Sequence, residues 1–294
     1  MPKGAIHIDK ALENISLAYK SERLIATKLA PAVNVKHDSD QYYVYTKESL
    51  ILPETIRANK AAANEAEFAL STATYRLDKH SLKSLVSDDD RDNADQAIKL
   101  DIDTTEYLTE KILMRRELDL VTLVHTPGNW ANVTSLTSTF AWSANTTLSN
   151  PILFVDSASS VIAQNSGKLP NVVVMDDRTF RAAKEHTSTV SRIQYTSADS
   201  ITENILAKLF NVSEVLVSGA IQNTAVEGLA DTMAFMMTDV AWVGYIEKSP
   251  GLKKVSAFYS FQQASEGNPY RVKRWRDEER EGDFIEVTSK FDNA

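Results

Sequence analysis

The sequence contains no cysteine. That removes disulfides, thiolate metal sites and cysteine nucleophiles. No apolar run reaches the length needed to cross a bilayer, and the N-terminal stretch MPKGAIHIDK lacks the apolar core of a signal peptide. A cytoplasm-like compartment is therefore expected, where the sequons at Asn14, Asn132, Asn145 and Asn211 are chance matches. Catalytic signatures are missing too. Gly167-Lys168 lacks the upstream glycine and the following Ser/Thr of a P-loop, and neither GxGxxG nor GxSxG occurs. His7, His37, His80, His125 and His186 are scattered, and none belongs to an HExxH pair. The acidic run Asp88, Asp89, Asp90 and Asp92 lacks the glycine and the terminal glutamate of an EF-hand loop, so a solvated helix-start cluster is favoured over a cation site. Spacing alone proposes no nucleophile–base pair. No metal, no cofactor and no catalytic residue is assigned.

What is present is ordinary for a soluble globular protein: 43% hydrophobic and 24% charged residues in a chain of 294. That length suffices for one large domain or two smaller ones. The net charge of −8 argues against general affinity for nucleic acid or an anionic membrane.

The most distinctive stretch runs from Asn93 to Val124 without a single Pro or Gly. It is rich in good helix formers, follows the acidic run that would favour the positive end of its dipole, and is closed by His125 and Pro127-Gly128. A helix of that length is a rod of roughly 45 Å. Ala94, Ile98, Ile102, Leu108, Ile112 and Leu123 fall on one side. Leu100, Tyr107, Met114, Leu118 and Val121 form a second stripe nearly opposite. Two stripes need cover on both sides, either from the helix's own domain or in part from a neighbouring subunit.

Residues 1–35 read as an arm, with a short helix over Asp9–Lys20 that is too short to be stable alone. Strand signals at residues 40–45 and at Phe68–Leu77 flank about 22 residues with little large apolar content, a long connection for a compact domain. Two readings stand: a mobile surface loop, or a two-stranded arm that projects and must rest on something. Residues 130–148 read as irregular strands and turns. A helix is predicted over 150–166, capped by Ser149 or Asn150, with Pro151 in its first turn and Gly167 past its end. An alternating pattern follows: strand Val172–Met175, a helix from Arg178 capped by Asp176 and Asp177, helix Thr202–Phe210 and strand Glu214–Ser218. Further strands are expected at 233–237, 242–246, 255–261, 270–275 and 284–288. This order suggests α+β rather than a doubly wound sheet. Arg271, Lys273, Arg274, Arg276, Asp277, Glu278, Glu279, Arg280 and Glu281 mix both signs, as subunit-bridging ion pairs or as a solvated strand and turn.

The order of parts, together with a set of segments, resembles the major capsid protein of tailed bacteriophages, which has the Hong Kong 97 fold. The segments are Ser16-Leu-Ala-Tyr19, Tyr42-Tyr-Val-Tyr45, Lys111-Ile-Leu-Met-Arg-Arg-Glu117, Pro170-Asn-Val-Val-Val-Met175, Arg192-Ile-Gln-Tyr-Thr196, Thr202 through Val212, and Val215-Leu-Val-Ser218. The resemblance implies an arm at 1–35, an extended loop at 36–77, a peripheral domain at 78–149 holding the spine helix, an axial domain at 150–262, and C-terminal strands at 263–294 returning to the peripheral domain. It implies a head protein that assembles as pentamers and hexamers around double-stranded DNA, without sequence-specific binding and without a membrane. The assembled protein would belong to the virion and be built in the host bacterial cytoplasm. The neighbour contacts would come from Leu12, Ile15 and Tyr19 of the arm and from Tyr43, Tyr45, Phe68 and Tyr75 of the loop. Tyr107, Met114, Arg115 and Arg116 of the spine and Arg271, Arg274 and Arg276 of the strands would add to them. A separate scaffolding protein, a portal protein and a decoration protein are the implied partners. Nothing marks the Lys–Asn crosslinking pair of some members. Two rivals stand beside this reading. One is the shell of an encapsulin-like nanocompartment, told apart by its neighbouring genes. The other is a soluble α+β enzyme with a pocket in 150–262, which a deep closed cleft with convergent polar groups would favour.

Overall fold

The computed structural model describes residues 7–8, 24–45, 51–60, 62–65, 70–93, 99–194, 201–226, 228–251, 254–264 and 267–293. The helix expected over 9–20, with Leu12, Ile15 and Tyr19, lies outside the described residues, as do Phe68, Ala94 and Ile98.

The long helix, α3, spans Leu100–His125, 26 residues, or about 39 Å. It starts later than its composition suggests. The acidic run does not cap it: Asp88–Asn93 form a separate short helix, α2, and the cap position of α3 is Lys99, with no side-chain bond. The buried face of α3 follows Thr105, Leu108/Thr109, Ile112/Leu113, Arg116/Glu117, Leu120/Val121 and Val124. This is one continuous stripe at helical spacing, and it includes four polar side chains. The two threonines are tolerated there because each hydroxyl donates to the carbonyl one turn back, Thr105 to Asp101 at 2.8 Å and Thr109 to Thr105 at 2.7 Å. Of the expected second stripe, Val121 is in the core, Leu100, Met114 and Leu118 are half-buried, and Tyr107 is exposed.

One side of α3 packs on a six-stranded sheet. Its centre is β13 (Gly282–Asn293), paired antiparallel with β12 (Tyr270–Asp277) on one side and β5 (Asp78–Ser87) on the other. β1 (His7–Ile8) lies beyond β12, and β11 (Ser260–Gln262) joins the end of β13 to β2 (Ala32–Asn34). Ile112, Val272, Ile285, Val287 and Phe291 form the contact between helix and sheet. Each such side chain contributes about 1.5–3 kcal/mol of burial. β5 has little sequence signal of its own, since Lys79, Ser81, Lys83 and Ser84 dilute its strand propensity; its ten-residue register with β13 holds it in place.

The other end of α3 meets a smaller sheet, β10 (Ala241–Gly244), β6 (Val172–Asp176) and β7 (Glu214–Ser218), with β6 central and fully buried. α4 (Pro151–Ser166), α5 (Asp177–Glu185), α6 (Thr187–Ile193) and α7 (Glu203–Leu209) accompany it. Asn150 caps α4 and accepts from Ile152 N–H at 3.0 Å, and Gly167 ends the helix in the left-handed region at φ 68°. Asp176 caps α5 through Arg178 and Thr179 N–H. Trp130, Trp242 and Phe258 form an aromatic cluster where this sheet meets the spine. The Trp242 ring lies over Gly244, where a Cβ would overlap it.

Three stretches depart from expectation. Residues 130–148 carry no strand. They follow a 3-10 turn at Pro127–Asn129 and pass through another at Trp142–Ala144, and local bonds such as Thr146 Oγ1 donating to Thr139 O at 3.0 Å replace a ladder. Of the strand expected over 255–261, only its end forms, as β11, and β11 belongs to the larger sheet. Leu24, Ile25, Ala26, Leu29 and Ala30, within the expected arm, are buried in the chain's own core; the segment includes α1 (Ala26–Leu29), and β2 follows it into the sheet.

Candidate assembly surface

Beyond the sheet, β3 (Ser39–Tyr45) and β4 (Leu70–Arg76) pair only with each other, from Ser39↔Arg76 to Tyr45↔Leu70. The base of this hairpin is tied down. Tyr75 is buried and stacks on Phe261 with centroids 4.6 Å apart, and Tyr42 tilts against the same ring at 5.1 Å. The Tyr75 hydroxyl donates to His37 O at 3.4 Å, Arg76 N–H donates to Asp292 at 2.9 Å, and Lys290 pairs with Asp38 at 2.8 Å. Tyr75 thus packs within its own chain. Past the base, Tyr43, Val44 and Leu70 are exposed. Residues 51–60 and 62–65 are exposed throughout, with Ile51, Leu52 and Ile56 at 71%, 93% and 83%. Large apolar side chains left this open on a projecting loop mark an interaction surface.

On α3, Tyr107 is exposed, with Lys111 Nζ 5.3 Å from its ring, and Arg115 pairs one turn along with Asp119 at 2.9 Å. Arg116 is different. It is buried, its guanidinium lies 5.6 Å from the Phe291 ring, and its Nε has no partner among the described residues. Burial pushes its pKa down and pushes that of nearby Tyr270 up.

Glu117, beside it, is fully buried at 0% exposure. It accepts from Ile25 N–H at 2.9 Å, Ala26 N–H at 2.7 Å and Ser218 Oγ at 3.5 Å. One carboxylate therefore joins α1, the spine and the end of β7. Burial raises its pKa, and the two backbone donors oppose the rise.

The mixed-sign segment is used internally. Arg274 reaches Asp101 at 3.1 Å and Asp283 at 2.8 Å, and Arg91 reaches the same two carboxylates at 2.8 Å each. Arg276 grips Asp88 with both terminal nitrogens, at 2.7 and 2.6 Å. These pairs fasten α2 and the start of α3 to β12 and β13, which is the role the acidic run plays in place of capping. Arg271 stays exposed, and the side chain of Tyr45 lies outside the described residues. Hydrogen bonding from Arg276 holds Asp88 below the usual carboxylate range. At Asp283 burial works the other way, but Arg274 and Arg91 outweigh it and lower the pKa. Depressed carboxylates add stability above their unfolded values and lose it as pH falls through the folded ones. The melting midpoint should therefore drop steeply below about pH 4, and Arg276→Ala should flatten that drop in thermal melts from pH 6 to 3.

Two features bear on the enzyme reading. His186 Nε2 lies 3.0 Å from Ser149 Oγ. However, Nδ1 accepts from Ser188 N–H at 3.2 Å, which makes Nε2 the donor. Ser149 is itself buried and occupied by Thr146 N–H at 2.8 Å and Thr146 O at 3.0 Å, so this is a structural lock, not an activated nucleophile. An open cleft of about 1170 Å³ lies between the end of α3, α4, β10 and residues 130–143; its walls are mostly apolar, including Trp130, Phe154, Val161 and Trp242. Arg178 and Asp239 at its rim pair at 3.5 Å in solvent and do not converge on a reacting point. Among the described residues no group of three His, Cys, Asp or Glu could hold a metal, and no helix is long and apolar enough to cross a membrane.

No protein-family model matches the chain. It is 30% identical over 234 residues to the major capsid protein of Pseudomonas phage JBD67, covering 78% of this chain and 74% of that protein. The chain belongs to the phage major capsid proteins. A second capsid relative, from Burkholderia phage BcepMu, is 27% identical over 217 residues, covering 73% of this chain and 69% of the relative. Among solved structures, a phage-related protein from Bordetella bronchiseptica matches with a TM-score of 0.76 at 23% identity, over 99% of this chain and 94% of that one. The capsid of cyanophage P-SCSP1u matches with a TM-score of 0.60 at 12% identity, over 94% and 86%. The fold is thus the α+β capsid fold expected from the order of parts. This capsid protein is a structural component of a phage particle, not an enzyme.

Sequence reasoning about this capsid protein singled out Arg116 but missed Glu117 and the Asp88–Arg276 clamp. Glu117 sits within the quoted spine segment, and a lone carboxylate among buried positions was the available signal.

Proposed function

We propose that the chain forms the wall of an icosahedral phage head, as pentamers and hexamers enclosing double-stranded DNA without sequence-specific contact. The observation that carries this reading is the projecting β3–β4 hairpin, anchored at its base and apolar at its exposed end, on a chain from the capsid family. In this reading residues 36–77 lie over the adjacent subunit and the stretch ahead of Leu24 reaches along a neighbour, with Leu12, Ile15, Tyr19 and Phe68 as contact candidates. The spine and large sheet form the peripheral domain. The sheet β10-β6-β7 and its helices form the axial domain, whose tips meet at the five-fold and quasi-six-fold axes. Tyr43, Tyr107, Met114, Arg115 and Arg271 are proposed neighbour contacts, whereas Arg274 and Arg276 act first within the subunit.

The negative net charge of −8 suits a wall that holds DNA without gripping it. Many modest contacts repeated by symmetry stabilise a shell although each is weak. A scaffolding protein, a portal and a decoration protein are proposed partners, with assembly in the host cytoplasm. Negative-stain microscopy of the purified protein, alone and with its scaffold, should show shells, capsomers or open sheets. A strictly monomeric species under both conditions would overturn the reading.

A further inference from the structure

Among the described residues, no carboxylate pairs with the buried guanidinium of Arg116. The residue is 6% exposed, its Nε lacks a partner, and no ion pair joins it to a carboxylate among the described residues. The acids closest in sequence on α3, and Asp292 next to Phe291 on β13, have partners of their own: Glu117 accepts from Ile25 and Ala26, Asp119 pairs with Arg115, and Asp292 accepts from Arg76 N–H. The Phe291 ring at 5.6 Å offers a cation–π contact but accepts no hydrogen bond. A desolvated guanidinium without an anion is costly, and it is tolerable where the working state supplies one. Arginine also presents its donors as a planar fork that a carboxylate fits end-on. Here Nε is closed off, so an incoming carboxylate must meet the two terminal nitrogens.

We propose that Arg116 is a socket for a carboxylate delivered by a second copy of this chain. The proposal rests on the shell reading, and it adds a specific residue and the chemistry of what it receives. Charge supports the choice of partner. The chain carries 40 acidic against 32 basic residues, and the exposed loop that projects from each subunit bears Glu54 and Glu65. Among the described residues of the subunit the guanidinium meets no carboxylate, and its burial there weakens the fold. In the assembly the socket is filled and favours association, so the same residue has opposite effects on the two states.

That opposition gives the test. Arg116→Met keeps an unbranched apolar chain about as long as the arginine stem to Nε and removes the guanidinium. The isolated subunit should be as stable as wild type or more so in urea, while the yield of shells, measured by sedimentation and microscopy, falls about tenfold or more. Unchanged shell yield, or a subunit weakened in step with assembly, would overturn the proposal. A second measurement identifies the donor. Shells assembled from an equal mixture of ¹⁵N-labelled and unlabelled Arg116→Lys subunits are treated with a carbodiimide, which joins the introduced amine to an adjacent carboxylate through an amide, with loss of water to the reagent. Crosslinked peptides pairing labelled with unlabelled chains support a second copy. Crosslinks confined to one isotope place the carboxylate in the same chain and overturn it, as does the absence of any crosslink at the substituted position. Shell formation by wild type in the same experiment tests the capsid reading separately.

Discussion

Glu117→Ala should destabilise the isolated subunit by about 3–5 kcal/mol, read as a lower urea midpoint at unchanged slope. The substitution removes the acceptor of two buried backbone N–H groups, at Ile25 and Ala26, and leaves both without a partner. It also opens a cavity between α1, α3 and β7, where the helix–sheet contact cannot close over it. Glu117→Gln is the informative companion. Its Oε1 can accept from the same two N–H groups and its Nε2 can donate to Ser218 Oγ, so the geometry survives without a buried charge. It should cost no more than about 1 kcal/mol. The pH dependence separates the two variants further. Burial raises the Glu117 carboxyl above its ordinary value of 4.5, so the folded state binds its proton more tightly than the unfolded one. That contribution is full below the unfolded value and is lost as pH rises through the folded one. It runs opposite to Asp88 and Asp283, whose lowered values cost stability only on acidification. The glutamine variant should abolish the loss on the rising side and leave the acid limb untouched. If it keeps the wild-type profile between pH 5 and 8, Glu117 is not the group responsible.

How much of this was legible beforehand depends on which force fixes each element. α4 was readable from its own residues, because Asn150, Pro151 and Gly167 punctuate it locally. β6 and β7 were readable because uninterrupted Val, Leu and Met runs fit only a buried strand. β5 was not, because its hydrogen bonds come from β13, about 200 residues away in sequence, and its own lysines and serines say little. The start of α3 was misread for a related reason. Composition cannot show that Asp88 is held by Arg276 and Asp101 by Arg91 and Arg274, pairs that divide the acidic run from the spine. At the assembly surface, the projecting hairpin was visible as two strand signals around a long connection, but the weight of Ile51, Leu52 and Ile56 within that connection was underrated. Which tyrosine faces inward was not visible. Tyr75 and Tyr42 meet Phe261 while Tyr43, the next residue along the strand from Tyr42, points to the opposite face and to solvent. The single buried stripe of α3 was obscured because Thr105, Thr109, Arg116 and Glu117 read as polar positions, although their bonds and contacts lie inside the fold.

Replacing Ile51, Leu52 and Ile56 together with serine should abolish assembly and leave the subunit's own stability unchanged. In the subunit these side chains touch solvent, and exposed substitutions of this kind stay within about 0.5 kcal/mol. Serine is small and polar, and the loop needs no packing of its own to stay joined, because Tyr75, Asp38 and Asp292 fix its base. In a shell the same three side chains would be buried against a neighbour, at about 1.5–3 kcal/mol each if fully covered. Losing even about 4 kcal/mol per contact raises the subunit concentration needed for association roughly a thousandfold. The contact recurs at every copy, so the effect on a closed particle is steeper than on any single pair. Urea unfolding and analytical centrifugation of the same preparation separate the two quantities. A triple variant that still closes into particles at wild-type concentrations would place the binding energy elsewhere on the chain. A variant that unfolds early would mean that the loop packs against its own subunit.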